Sequence, residues 1–142
     1  MNYRMVIGMP DRHGMRGYIG SRPYFGSRAP QHIQNLVIRD YCKKLNRTFL
    51  LSATEYAMPN CFMVLDRVFN ELPKVEGIVL YSLFMLPRAR AHRERLWNLF
   101  RQHGGSIHSA VEGFIVETED DINRIEVITR LQRTLEHCPT KV

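Results

Sequence analysis

The sequence has few of the features that mark secreted, membrane-spanning or metal-binding proteins. Its three cysteines, Cys42, Cys61 and Cys138, are far apart and odd in number, so neither a disulfide framework nor a paired-cysteine metal site can be drawn. No apolar run is long enough to cross a bilayer. The first apolar residues are interrupted by Gly8 and Pro10, where a signal peptide would continue. The histidines lack paired spacing, and we expect a cytoplasmic protein with no membrane span, no metal and no cofactor.

Long blocks of like charge are also missing, so a disordered tail that coats nucleic acid is not expected. The formal net charge of +6 indicates an anionic partner, which is a nucleic acid, a nucleotide or a phosphorylated small molecule. Arginines are concentrated in the first quarter of the chain and in residues 88–101. Aromatic residues other than Trp97 are not interleaved with the second group, which makes nucleic acid the least favoured of the three.

The pattern along the chain predicts one domain behind a short arm. Residues 1–15 have no sustained period and contain Gly8, Pro10 and Gly14, which predicts a flexible N-terminal arm. Residues 16–142 have the length of a single α/β domain.

Four short apolar runs, at residues 16–21, 48–53, 77–83 and 106–111, predict strands. Apolar positions three and four apart predict a helix after each strand. Asn60 is expected to cap the second helix, and the last extends from about residue 119 to 136. This alternation predicts a three-layer α/β/α domain with a mainly parallel four-stranded sheet and a long C-terminal helix.

Ligands of open parallel sheets bind outside the carboxyl ends of the strands, where this sequence is polar. In the loop after the first strand, Gly20 and Gly26 allow close backbone approach, and the next helix opens at Gln31. We expect Ser21, Arg22, Arg28 and Gln31 to bind a phosphate or carboxylate. The alternative is a solvated loop whose arginines pair with nearby acids. Ser21 is expected to donate a hydrogen bond rather than to act as a nucleophile.

Two carboxylates follow strands that are otherwise apolar. Glu55 and Glu112 are candidate proton carriers, with Tyr81 as a third catalytic candidate. The alternative is that each carboxylate binds an arginine of the first loop, and that Tyr81 and Ser82 form a buried pair satisfied by the backbone. Other residues expected to contact a substrate are Ser52, Asn60 and Ser82.

Five segments of the chain resemble a known family. RGYIGSRPYFG, PQHIQNLVIRDYC, LLSATEYAMPNC, GIVLYSLFMLP and SAVEGF, taken in order, look like the sporadic carbohydrate cluster proteins, which are encoded among genes for surface-carbohydrate biosynthesis. The resemblance implies a sugar phosphate or nucleotide sugar as the partner. It implies a protein of carbohydrate biosynthesis, with acid/base chemistry as an open possibility.

The layout also resembles the catalytic domain of serine recombinases of the resolvase and invertase type. The shared features are a first strand that ends in Arg and Ser, a helix that opens with Gln, and a Glu after the fourth strand. Those enzymes carry a DRLxR run after the third strand, where this chain reads SLFMLPR, with Phe84 and Met85 in place of Asp and Arg. The resemblance implies a resolvase-like or flavodoxin-like fold, without DNA cleavage.

Two further functions therefore stay open beside the carbohydrate enzyme. One is a non-catalytic module that binds a glycan precursor or a partner protein. The other is a degenerate resolvase-like domain that binds DNA without cutting it. The last helix carries more apolar residues than are needed to cover a small sheet. We therefore expect a homo-oligomer that forms through this helix, and a homodimer is the first expectation.

Overall fold

The computed structural model describes residues 12–21 and 29–136. Within these ranges the strands are β1 (Met15–Gly20), β2 (Phe49–Glu55), β3 (Gly77–Leu80), β4 (Ser106–Ser109) and β5 (Phe114–Val116). The helices in the same ranges are α1 (Gln31–Lys44), α2 (Met63–Asn70), α3 (Arg90–His103) and α4 (Glu119–Glu136).

The strands form one sheet in the order β2-β1-β3-β4-β5. The first four are parallel, and β5 runs antiparallel to β4. Strand β3 is buried at all four positions, as expected for a central strand covered on both faces. The chain turns from β1 outward to β2 and then back to β3, so the strand order reverses between β1 and β3.

Helices cover both faces of the sheet, which gives three layers. On one face, Ile38 and Cys42 of α1 pack against Met15, Ile19 and Val79. On the other face, the apolar sides of α2, α3 and α4 pack with Tyr18, Leu80 and Ile107 in the larger core. The three-layer α/β/α class expected from the sequence is confirmed, with the long C-terminal helix.

Several details differ from the sequence-based expectation. The described residues contain five strands rather than four, because three residues after a turn at 110–113 return as β5. Strand β2 runs to Glu55 instead of ending at Ala53, with a shift in register near its start. Strand β3 ends at Leu80 and is followed by a 3₁₀ turn, Leu83–Met85.

Residues at the junction between the expected arm and the domain make contacts with the domain. Met15 is fully buried in β1, and the Gly14 amide donates to the Glu76 carboxylate at 3.2 Å. The expected arm of residues 1–15 therefore includes residues that pack on the domain, while residues 1–11 lie outside the described part. Among the described residues, no helix combines the length and apolar character needed to cross a membrane.

Candidate functional site

The carboxyl ends of β1, β2, β3 and β4 form one edge of the sheet, which we call the strand-end rim. The parallel register aligns Gly20 with Glu55, Tyr18 with Leu80, and Leu80 with Ser109. Ser21, Glu55, Tyr81, Ser82 and Glu112, which are distant in sequence, therefore follow neighbouring strand ends. This register agrees with the expectation that these residues lie along one edge of the sheet.

Gln34 of α1 holds both ends of the first loop. Its side chain accepts from the Gly20 amide at 3.1 Å and donates to the carbonyl oxygens of Gly20 and Ala29, at 2.6 and 2.8 Å. The side chain is buried, in line with Ile38 and Cys42 on the inner stripe of the helix. Sequence reasoning gave Gln34 no role, although an amide among apolar positions at a spacing of four was the available signal.

Ser21 is the first residue beyond β1 and is half-exposed. Among the described residues, its hydroxyl has no hydrogen-bond partner, so no imidazole or carboxylate there activates it. Arg22 and Arg28 lie outside the described residues. Gln31 is exposed in the first turn of α1, which contains no acidic residue and has no side-chain cap.

Glu55 is buried, and its carboxylate is bound inside the protein. One oxygen accepts from the Tyr18 hydroxyl at 2.7 Å and from the Leu65 amide at 3.0 Å. The other accepts from the Val64 amide at 3.0 Å and faces the Cys61 thiol. The carboxylate thus caps the positive N-terminus of α2 from a neighbouring strand.

Asn60 does not cap α2, contrary to the sequence-based expectation. The helix begins at Met63, and its Val64 and Leu65 amides donate to Glu55. Asn60 is instead exposed in the preceding turn, where it adopts a left-handed backbone with φ 56°. Asparagine tolerates this conformation better than most residues.

Ser82 and Glu112 bind each other at the rim. The Ser82 hydroxyl donates to Glu112 at 2.7 Å, and the Leu83 amide donates to the other carboxylate oxygen at 2.9 Å. The Phe84 amide donates to the Ser82 hydroxyl, which closes the 3₁₀ turn. This network connects the end of β3 to the turn between β4 and β5. Tyr81 is half-buried beside it and contacts both cores.

Ser52 does not lie at the rim, because β2 continues for three residues beyond it. It stands opposite Gly17 of β1, and its buried hydroxyl has no hydrogen-bond partner. A side chain at position 17 would collide with this hydroxyl, which explains the glycine.

A buried histidine on β4 was not singled out by the sequence analysis. His108 Nδ1 is 2.8 Å from the Tyr41 hydroxyl, and Nε2 is 2.7 Å from the Ser106 hydroxyl. Burial, together with the charge of Arg47, lowers the pKa of His108 to about 4. Burial raises the pKa of Tyr41, so its hydroxyl stays protonated. The imidazole is therefore neutral and connects α1 to β4 below the rim.

The turn after β3 contributes apolar side chains rather than charges to the rim. Met85 is buried, and Phe84 packs against the larger core. No group of three or more histidines, cysteines or carboxylates suited to a metal occurs in residues 12–21 and 29–136.

Comparison with known proteins relates the fold to site-specific recombinases. No protein-family model and no curated protein matches the sequence. The N-terminal catalytic domain of TP901-1 integrase is similar with a TM-score of 0.60 and 15% identity, over 86% of this chain and 99% of that one. A resolvase family site-specific recombinase from Streptococcus pneumoniae is similar with a TM-score of 0.59 and 10% identity, over 84% of this chain and 89% of that one.

These similarities establish a resolvase-like fold, as the second resemblance implied. The resemblance to sporadic carbohydrate cluster proteins, and the sugar partners it implied, gain no support from the comparisons. The comparisons also give no support to the expectation that nucleic acid is an unlikely partner, since the similar structures belong to recombinases.

Proposed function

We propose that this chain is a resolvase-like domain that binds the phosphate backbone of DNA at the strand-end rim and does not cut it. The observation that carries the proposal is the loop between β1 and α1. Gln34 fixes both of its ends, and an uncapped helix N-terminus without acidic residues follows it. Such a helix start favours anions, and Ser21 supplies a hydroxyl beside it.

Arg22 and Arg28 provide the charge for this contact. Both lie in the sequence between β1 and α1, outside the described residues, and arginine binds phosphate through two parallel hydrogen bonds. The net charge of +6 adds a general attraction for a polyanion. The similarity in fold to two recombinase structures makes DNA the first polyanion to test.

The use of the rim residues supports the proposal that the domain does not cut DNA. A serine nucleophile needs a base or a strongly polarising environment. Glu55 and Glu112, the sequence-based candidates for proton transfer, bind Tyr18, Ser82 and backbone amides instead. Phe84 and Met85 occupy the turn where the recombinase pattern has an aspartate and an arginine.

The experiment is fluorescence anisotropy of a labelled short duplex over a series of salt concentrations. We expect log affinity to fall linearly with log salt, and the slope to decrease by about 2 in the double variant Arg22→Gln, Arg28→Gln, since each phosphate contact contributes about 0.9. The matched control is Arg67→Gln, Arg95→Gln, which removes two exposed arginines from α2 and α3. Supercoiled plasmid incubated with the protein should stay intact.

The phosphorylated-sugar function shares the phosphate chemistry and is the competing outcome. In that case a nucleotide sugar or sugar phosphate raises the thermal unfolding temperature, and Arg22→Gln, Arg28→Gln abolishes the rise. DNA then binds the wild type no better than it binds Arg22→Gln, Arg28→Gln. That result would mean that the rim binds a small phosphorylated ligand rather than DNA. A non-catalytic module that binds a partner protein would respond to neither ligand.

A further inference from the structure

A group of cationic side chains lies at the opposite end of the sheet from the rim. The C-terminal turn of α1 and the start of β2 enclose a surface groove of about 600 Å³, lined by Arg39, Lys43, Arg47 and Phe49 among others. Helix α1 has 14 residues and is therefore about 20 Å long. Its N-terminus borders the rim and its C-terminus borders the groove, so the two sites are separated by roughly the length of the helix.

The groove keeps a positive charge after its ion pairs are counted. Asp40, the acidic residue of its lining, pairs with Lys44 at 3.0 Å. Arg47 pairs with Glu76 at 3.1 Å and remains partly exposed. Arg39 and Lys43 have no carboxylate partner among the described residues. Two unpaired cations therefore remain beside a paired arginine.

The helix dipole explains only part of this arrangement. Cations in the last turn of a helix stabilise its negative end, which accounts for Lys43 and Lys44. Arg39 lies one turn earlier, and Arg47 lies beyond the C-terminal cap at Leu45, so neither position gains much from the dipole.

Arg39 also contacts an aromatic ring. Its guanidinium carbon is 5.8 Å from the centre of the Phe49 ring of β2, within the range of a cation–π contact. Such a contact favours one placement of the side chain, which reduces the conformational entropy lost when the guanidinium binds a phosphate. Lys43 is one turn further along the same face of the helix, about 6 Å away along its axis.

We propose that this groove binds the phosphate backbone of a second DNA segment, so that one chain holds two duplexes at opposite ends. The proposal rests on the DNA-binding function proposed above for the rim. A short duplex seated on the rim leaves the groove free for another. Arg39 and Lys43 supply the contacts, and Arg47 adds to the local positive potential.

The test is a stoichiometric titration of the full chain with a short labelled duplex at low salt, which counts duplexes bound per chain. We expect two for the wild type, one for Arg39→Gln, Lys43→Gln, and two for the control Arg67→Gln, Arg95→Gln. Circular dichroism verifies that each variant is folded. Two duplexes bound by Arg39→Gln, Lys43→Gln would overturn the proposal.

The rim variant separates this proposal from the proposed function. If Arg22→Gln, Arg28→Gln still binds two duplexes while the groove variant binds fewer, the groove stands and the rim fails. If the wild type binds one duplex, and only the rim variant loses it, the rim stands and the groove fails. If the wild type binds no duplex, both fail.

Discussion

The Glu55 carboxylate accepts a hydrogen bond from the Tyr18 hydroxyl at 2.7 Å, across the neighbouring strands β1 and β2. The same carboxylate accepts hydrogen bonds from the Val64 and Leu65 amides in the first turn of α2. One side chain thus connects two strands to a helix. This explains why a charged residue ends a strand of the domain and remains buried.

The first prediction concerns this connection. Glu55→Ala removes the acceptor for the Tyr18 hydroxyl and for two helix amides, so we expect a loss of about 3 kcal/mol or more in the free energy of unfolding. Tyr18→Phe keeps the carboxylate and both amide bonds and should cost about 1.5 to 3 kcal/mol. Urea denaturation measures both. A Glu55→Ala variant as stable as the wild type would contradict the capping role.

The second prediction is a pH dependence caused by His108. Its pKa is about 4 in the folded protein against an ordinary 6.5, so between these values the unfolded chain binds a proton that the folded one does not. The contribution of His108 is complete above pH 6.5 and is lost as the pH falls towards 4, to a maximum of about 3 kcal/mol. Urea denaturation across this range measures it.

The matched variant for this prediction is His108→Gln, which can still hydrogen-bond but does not titrate. Carboxylates titrate in both proteins, so the quantity of interest is the difference between the two stability curves. We expect the wild type to lose more stability than the variant between pH 6.5 and 4. Parallel curves would contradict a neutral, buried imidazole.

The third prediction concerns the attachment of α4 to α3. Arg93 donates to both carboxylate oxygens of Glu126, at 2.8 and 2.9 Å, and Trp97 donates to one of them at 2.9 Å. Although burial acts to raise the pKa of Glu126, these hydrogen bonds lower it overall. Glu126→Ala leaves the buried Arg93 charge unpaired and should cost about 3 to 5 kcal/mol in urea denaturation.

The control is the double variant Arg93→Met, Glu126→Leu, which removes both charges and keeps the volume. Because no unpaired charge remains, it should be more stable than Glu126→Ala alone. If the double variant is the less stable of the two, the loss in the single variant does not come from an unpaired charge.

The fourth prediction is the homodimer expected from the last helix. The apolar residues of this helix fall into two groups. Ile122 and Ile125 are buried in the domain core, while Val127, Leu131 and Leu135 are 45, 58 and 67% exposed. These three residues are four apart and form one exposed line, suited to a second copy. Sedimentation should give a dimer for the wild type and a monomer for Leu131→Glu.

Point variants are better than a truncation here, because removal of residues 119–142 would also remove Ile122, Ile125 and Glu126 from the domain. Arg133→Gln makes the same change in net charge on the opposite side of α4 and should remain dimeric. A monomeric wild type would contradict the interface.

The fold was predictable because apolar periodicity is a local signal. The strand periods and the stripe of α4 were visible in the sequence, as was the polarity of the strand ends. Strand β5 was missed because it has three residues and is defined by its pairing with β4. Ser52 was placed too near the rim because the end of β2 depends on pairing with β1, which extends to Glu55.

The roles of the rim residues were less predictable, because they depend on contacts between distant parts of the chain. A strand-end glutamate is equally consistent with a proton carrier and with a helix cap from another element. Only the position of α2 shows that the Glu55 oxygens are occupied. Gln34 was overlooked for the same reason, since its partners are the two ends of a loop.

The most direct test of DNA binding at the rim is a nitrogen–proton NMR titration with a short duplex. We predict that the amide signals of Gly20, Ser21 and Gln31 shift with added DNA, and that Arg22→Gln, Arg28→Gln abolishes these shifts. Rim signals that stay unchanged with DNA, but move with a nucleotide sugar, would contradict the account.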